Sequence, residues 1–293
     1  MHSFLSGGAF IALYGTSYGF VLFTISIGLV ITMGLMRVLN LAHGAFAALG
    51  GYATVALMNG LGLPFAAALA IAVLLVALLG AALERTIFIH LYGAPDLDQV
   101  LMTLGVNFVA IAALTMAFGP NLFPMTLPQY LHGNVDLGFR SFEVYRLFVA
   151  TVGALTAAIV FFVFERTAFG ARLRAAVDNR SMAQAIGIDT DRLFSISFAI
   201  GGGLAALGGG VGAGMLPLEP FYPLKYLVLV LIVVALSGAG NVRAALAASV
   251  FVGVIDTAGR FLMPEIGGFV IYVLLIVLVV WRGDGLFVRQ IAR

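Results

Sequence analysis

Two stretches of this chain have the outline of catalytic or cofactor loops. Gly15-Thr-Ser-Tyr-Gly19 fits the G-x-S-x-G form of a serine nucleophile, and Gly201-Gly-Gly-Leu-Ala-Ala206 fits the G-x-G-x-x-A form of a dinucleotide loop. A nucleophile elbow needs a strand before it and a His and acid partner, and a dinucleotide loop needs a strand that feeds a helix N-terminus. Both stretches lie inside long apolar runs, so both read as glycines on membrane helices. The single lysine, Lys225, stands between Leu224 and Tyr226, which leaves no G-K-[ST] phosphate loop. The chain is therefore not expected to be its own ATPase. His2, His43, His90 and His132 are scattered without metal-ligand spacing, and with no Cys there is neither a disulfide nor a thiolate site. No cofactor is expected in this chain.

Polar groups within apolar runs are the other source of chemistry, because a membrane makes them costly. Asn40 and His43 are three apart, Thr103 and Asn107 four apart, and Asp256 precedes Arg260 by four, a spacing that allows a pair on one helix face. Each is a candidate for contact with a solute in a pore. A structural role competes in every case: Asn40 and His43 at the inner end of a helix, Asn107 bonding a neighbouring helix, Asp256 pairing with Arg260. The densest run of charge is Phe169 to Ile188. There Ala171 to Ile186 has good helix formers, apolar positions at Leu173, Val177, Met182 and Ile186, and Gly187 placed to end the helix. Asp189 or Thr190 can cap the next helix. This predicts one short amphipathic helix outside the lipid, either resting on anionic headgroups or gripped by a partner.

The elements that hold these residues are set by charge patterning. Hydrophobic residues make up 62% of the 293 and charged residues 10%, with a mean hydropathy of +1.12, outside the range of a soluble domain. No Asp, Glu, Lys or Arg occurs before Arg37, from Val38 to Leu83, from Gln99 to Val135 or from Leu193 to Leu218. A crossing helix needs about 20 apolar residues. Runs such as 66–83 are apolar all round, which excludes the alternation of a barrel strand. The fold class is all-α, a polytopic membrane protein of eight or nine transmembrane helices in a single domain, 1–293. Segments are expected near 10–33, 39–58, 64–83, 100–119, 146–164, 193–214, 225–237, 242–262 and 267–282. Breaks are expected at 59–64, 93–95, 119–121, 238–241 and 263–264, where Gly and Pro cluster. Ala9 to Gly34 is read as a retained helix and not a removed signal peptide. Gly201, Ala205, Gly208, Gly209 and Gly212 form a small stripe for close helix packing. With the N-terminus outside, eleven of the 15 Lys and Arg fall on the inner side, and the basic insert and the C-terminus are then cytoplasmic. The pI near 9 thus reflects arginines on one membrane face and not a nucleic-acid partner.

Met36-Arg-Val-Leu-Asn-Leu-Ala-His-Gly-Ala-Phe46 with Gly50-Gly-Tyr52, the insert Gly170 to Arg192, and Leu236-Ser-Gly-Ala-Gly-Asn241 occur in the order and spacing of one family. Together they resemble the permease subunits of branched-chain amino acid ABC importers, of the LivH type, over nearly the whole length. The resemblance implies an inner-membrane protein forming half of a pathway for branched-chain amino acids or related small polar solutes. It implies as partners a second, LivM-type permease, two cytoplasmic ATPases that bind ATP and Mg, and a periplasmic binding protein. It also implies that the segment near 166–192 couples to an ATPase through Arg172, Arg174, Asp178, Arg180, Met182, Ala183, Ile186 and Gly187. Asn179 departs from the family, many members of which carry a charge there. An ion-coupled secondary carrier or a channel is the alternative, and Asp256 is its one candidate ionisable group.

Overall fold

A computed structural model describes residues 2–36, 40–136, 141–238 and 240–281. Arg37, Arg140, Arg282, Arg289 and Arg293, which enter the charge count, lie outside the described residues, as do parts of the Met36–Phe46 and Leu236–Asn241 motifs. The order of helices is α1 (His2–Met36), α2 (His43–Leu61), α3 (Phe65–Thr86), α4 (Asp96–Phe118), α5 (Val144–Arg166), α6 (Ala168–Asp178), α7 (Arg180–Ala185), α8 (Thr190–Gly212), α9 (Tyr222–Ser237), α10 (Val242–Leu262) and α11 (Gly267–Trp281). A small hairpin, β1 (Asn134–Asp136) with β2 (Ser141–Glu143), precedes α5.

Among the described residues seven helices are long and apolar enough to cross a membrane, against the eight or nine expected. The shortfall is at α9, an apolar helix of 16 residues, and at α11, of which 15 residues are described. The expected breaks fall at helix ends or between helices. Gly119 shows why: its φ of +84° ends α4 one residue before Pro120, which cannot continue a helix.

The centre of the molecule is α1 against α8, and glycine sets the distance. A Cβ on Gly28 would lie 2.4 Å from the Gly201 carbonyl oxygen, and one on Gly209 would lie 1.9 Å from that of Ala47 in α2. The small stripe of α8 therefore serves two neighbours: Gly201, Gly208 and Gly212 face α1, and Gly209 faces α2. Without a hydrophobic difference between lipid and side chain, such close backbone contact is a principal source of helix association. The same physics accounts for the serine-hydrolase look-alike. Gly15 and Gly19 sit against Val254 and Val250 of α10, and the hydroxyl of Ser17 donates to Leu13 of its own helix at 3.0 Å. Leu74, Leu78, Val109, Met116, Leu155 and Ile159 of α3, α4 and α5 point outward, as lipid-facing side chains do.

The entry into α2 departs from a simple crossing helix. α2 begins at His43 and not near 39, and its imidazole Nε2–H donates to the carbonyl of Ile25 at 2.7 Å. Ile25 lies far from the end of α1 at Met36, about 16 Å along the axis at 1.5 Å per residue. Asn40 and Ala42, just before α2, are likewise buried within the protein. Irregular backbone at such depth is tolerated only where protein buries it.

Candidate functional site: the α6–α7 insert and its anchor

The insert between α5 and α8 is two helices where the sequence predicted one over Ala171–Ile186. Asn179 breaks it. With φ −153° and ψ 97° it leaves the helical region, and its side-chain oxygen accepts from the Met182 amide at 2.9 Å, capping α7. Asn is among the strongest capping residues because its short acceptor reaches an otherwise orphaned amide. Asn179→Ala is expected to destabilise α7 by about 1 kcal/mol, seen as faster amide exchange over 180–185 with α6 unchanged. At the other end Gly187 takes φ +87°, and Asp189 caps α8 by accepting from the Arg192 amide at 3.0 Å.

The insert is clamped to the membrane helices at both ends. Gly170 lets α6 fold back on α5, since a Cβ there would lie 2.0 Å from the Phe164 carbonyl oxygen. Arg174 Nη1 donates to that same carbonyl at 2.5 Å, satisfying one of the free acceptors at the end of α5. Beneath it Ile31, Phe164, Arg174, Gly240 and Asn241 line a cavity of about 370 Å³. The glycine-rich turn joins there: the Gly240 amide donates to Val30 of α1 at 3.0 Å, and Asn241 caps α10. Arg243 pairs with Glu165 at 2.7 Å beside it. The motifs of the insert and of the turn, remote in sequence, thus meet on the last turns of α1.

At α7, Arg180 pairs with Asp191 at 2.7 Å and lies over the rings of Tyr92 and Phe194, 5.6 and 5.4 Å from their centroids. The Tyr92 hydroxyl donates to Glu84 Oε1 at 2.7 Å, and the Ser195 hydroxyl donates to Glu84 Oε2. Arg85 Nε donates to Ser195 Oγ at 3.3 Å. Burial, reinforced by the Glu84 carboxylate, holds the Tyr92 phenol well above its ordinary pKa, so it stays a donor. Glu84 is 1% exposed. A carboxylate so placed is tolerable only with its oxygens satisfied. This network ties α7 to both α3 and α8. Glu84→Ala strands two hydroxyl donors and is expected to cost about 2 to 3 kcal/mol, read as a lower denaturation midpoint of the purified protein in detergent. Glu84, Tyr92 and Ser195 were not among the sequence candidates. The available signal was that Glu84 is the first acidic residue of the chain, closing a run without charge.

With its clamps occupied, the insert presents an outer tip. Leu173 and Ala183 are buried, while Met182 is 61% and Ile186 70% exposed. Arg172 and Asp178 are not buried either, and Gly187 has open space around it. The coupling candidates thus divide: Arg174 and Arg180 hold the insert down, and Met182, Ile186 and Gly187 face away from the protein.

The remaining candidates lie elsewhere and do not form one cluster. Asn40, His43, Thr103, Asn107 and Asp256 are all buried. Asn107 Nδ2 donates to the Leu41 carbonyl at 2.7 Å, which joins α4 to the residues just before α2. Thr103 donates to Gln99 of its own helix at 2.7 Å. The Asn40 side chain finds no partner among the described residues. Asp256 is bonded to Arg260 at 2.8 Å near the opposite end of the molecule from the insert.

A family model described as the permease component of branched-chain amino acid transport systems matches residues 11–279. The chain is 26% identical to a probable branched-chain amino acid transport permease protein LivH of Methanocaldococcus jannaschii, covering 77% of this chain and 72% of the relative. It is 22% identical to the high-affinity branched-chain amino acid transport system permease protein LivH of Escherichia coli, and 23% identical to the corresponding protein BraD of Pseudomonas aeruginosa, with 94% of each chain covered in both cases. No solved structure matches.

Proposed function

Because the chain belongs to the family of branched-chain amino acid transport permeases, we propose that it is the membrane half of an ATP-driven importer whose cytoplasmic grip is the α6–α7 insert. The solute is a branched-chain amino acid or a close relative, as the names of its relatives suggest. A second permease completes the pathway, two ATPases bind the cytoplasmic face, and a binding protein delivers the solute outside. The membrane is the bacterial inner membrane, with the N-terminus outside and the C-terminus in the cytoplasm. The chain itself performs no catalysis, and ATP and Mg reside in the partners.

The observation that carries this reading is the exposed apolar tip, Met182 and Ile186, on a capped and doubly clamped insert. An apolar pair at the end of a polar insert gains nothing in water, and burying it in a partner's cleft removes it from water. Movement of the partner then passes through Arg174 to the ends of α5 and α1, and through Arg180 and Tyr92 to α3 and α8. The energy required is set by two-state arithmetic: an almost complete swing between inward-open and outward-open takes about 5.5 kcal/mol of differential binding. Nucleotide turnover in the partners supplies it, and this chain supplies the lever.

The test is purification of the tagged chain in mild detergent, followed by reconstitution. Co-purified ATPase subunits and ATP-dependent uptake of leucine support the proposal. A chain that purifies alone and transports on an ion gradient refutes it.

A further inference from the structure

Beside Phe10, Tyr14 and Tyr18 of α1, a cavity of about 580 Å³ opens between α1, α9 and α10. Its size is that of small-ligand sites. Its wall holds Arg146, Lys225 and Arg260, the buried carboxylate Asp256, and the hydroxyl-bearing rings of Tyr18 and Tyr226. Side chains of this kind cannot face hydrocarbon without large cost, so the cavity belongs to water or to the aqueous pathway. The apolar remainder comes from residues such as Leu229, Leu216 and Phe10.

The charges of the wall are balanced in pairs. Arg260 binds Asp256 at 2.8 Å, Arg146 binds Glu143 at 2.9 Å, and Lys225 binds Glu219. A ligand of one sign that inserts here breaks an ion pair and leaves the other member unpaired, which is strongly unfavourable. A ligand with an ammonium and a carboxylate on neighbouring atoms replaces both members at once. Asp256 keeps acceptor capacity, because a carboxylate has about four lone-pair sites and Arg260 uses it through one bond of 2.8 Å and one of 3.3 Å.

Resting on the transport reading above, we propose that this cavity receives the zwitterionic head of an aliphatic α-amino acid. The ammonium sets against Asp256, the carboxylate against Arg260 and Lys225, and the side chain against the apolar wall. The test uses the complete reconstituted assembly in phosphatidylcholine and phosphatidylglycerol liposomes, with leucine as the transported solute. 4-Methylpentanoate and 3-methylbutylamine, which keep the side chain and one charge each, are the competitors. Both should compete at least about tenfold more weakly than leucine. Asp256→Asn should raise KM for leucine about tenfold, with kcat and membrane content changed less than about twofold. Lys225 is exposed, and Lys225→Gln should raise KM a few-fold without affecting folding. It decides the matter if the Asp256 variant does not accumulate.

Wild-type KM in the Lys225 variant and in any Asp256 variant that accumulates overturns the assignment. So does an effect seen only when phosphatidylethanolamine is added, since its headgroup carries the same ammonium beside an anion. An assembly that carries no amino acid refutes the transport reading instead, and leucine uptake indifferent to these substitutions refutes the cavity alone.

Discussion

Replacing Met182 and Ile186 together by aspartate is expected to abolish ATP-dependent uptake while the protein still accumulates in the membrane. The two side chains are among the more exposed apolar groups of the insert, so changing them removes little within the chain itself. Surface substitutions of this kind shift stability by about 0.5 kcal/mol or less. In the docked assembly the same change loses about 1.5 to 3 kcal/mol for each buried apolar side chain and adds desolvated charge. The affinity for the ATPase should fall on the order of a hundredfold or more. Pull-down of the ATPases and quantification of the chain in membranes check both halves. Arg174→Glu provides the contrast. Its guanidinium caps the end of α5 through the Phe164 carbonyl, so the substitution should lower stability as well as coupling.

The second large effect is structural. Gly209→Leu should prevent the accumulation of folded protein, because even its Cβ would lie 1.9 Å from the Ala47 carbonyl oxygen. Backbone cannot yield there as the tip of a flexible side chain would. Overpacking of a core typically costs about 1 to 3 kcal/mol, and separating α8 from α2 also opens its contacts with α1 and α3. Gly105→Leu is the matched control, since a Cβ at Gly105 meets nothing within 4 Å. Detergent-solubilised monodisperse protein, measured by size-exclusion chromatography, should be lost in the first variant and retained in the second.

Runs without charge and clusters of Gly and Pro located the helices, because lipid imposes its constraint locally, residue by residue. The stripe at Gly201, Gly208, Gly209 and Gly212 was visible as small residues, but which helix lies against each is a tertiary fact. For the same reason nothing in the spacing of Asn40 and His43 showed that α2 starts opposite the middle of α1. The split of the insert at Asn179 was legible in principle. Asn competes for the backbone of the helix it sits in, and here its capping bond outweighed the helix propensity of Ala171 to Ile186. Glu84, Tyr92 and Ser195 come from three separate elements, and no local pattern joins them. Asp256 and Arg260 pair at helical spacing as their positions suggested, yet that they share one cavity wall with Arg146 and Lys225 is a tertiary fact.

The docking role of the insert is tested most directly by a single cysteine. The chain contains none, so Ile186→Cys is a unique handle on an exposed site. In intact cells it should resist a membrane-impermeant thiol reagent, and in inverted vesicles carrying the whole assembly it should cross-link to an ATPase subunit. Labelling of that cysteine from the outside of intact cells would contradict the account.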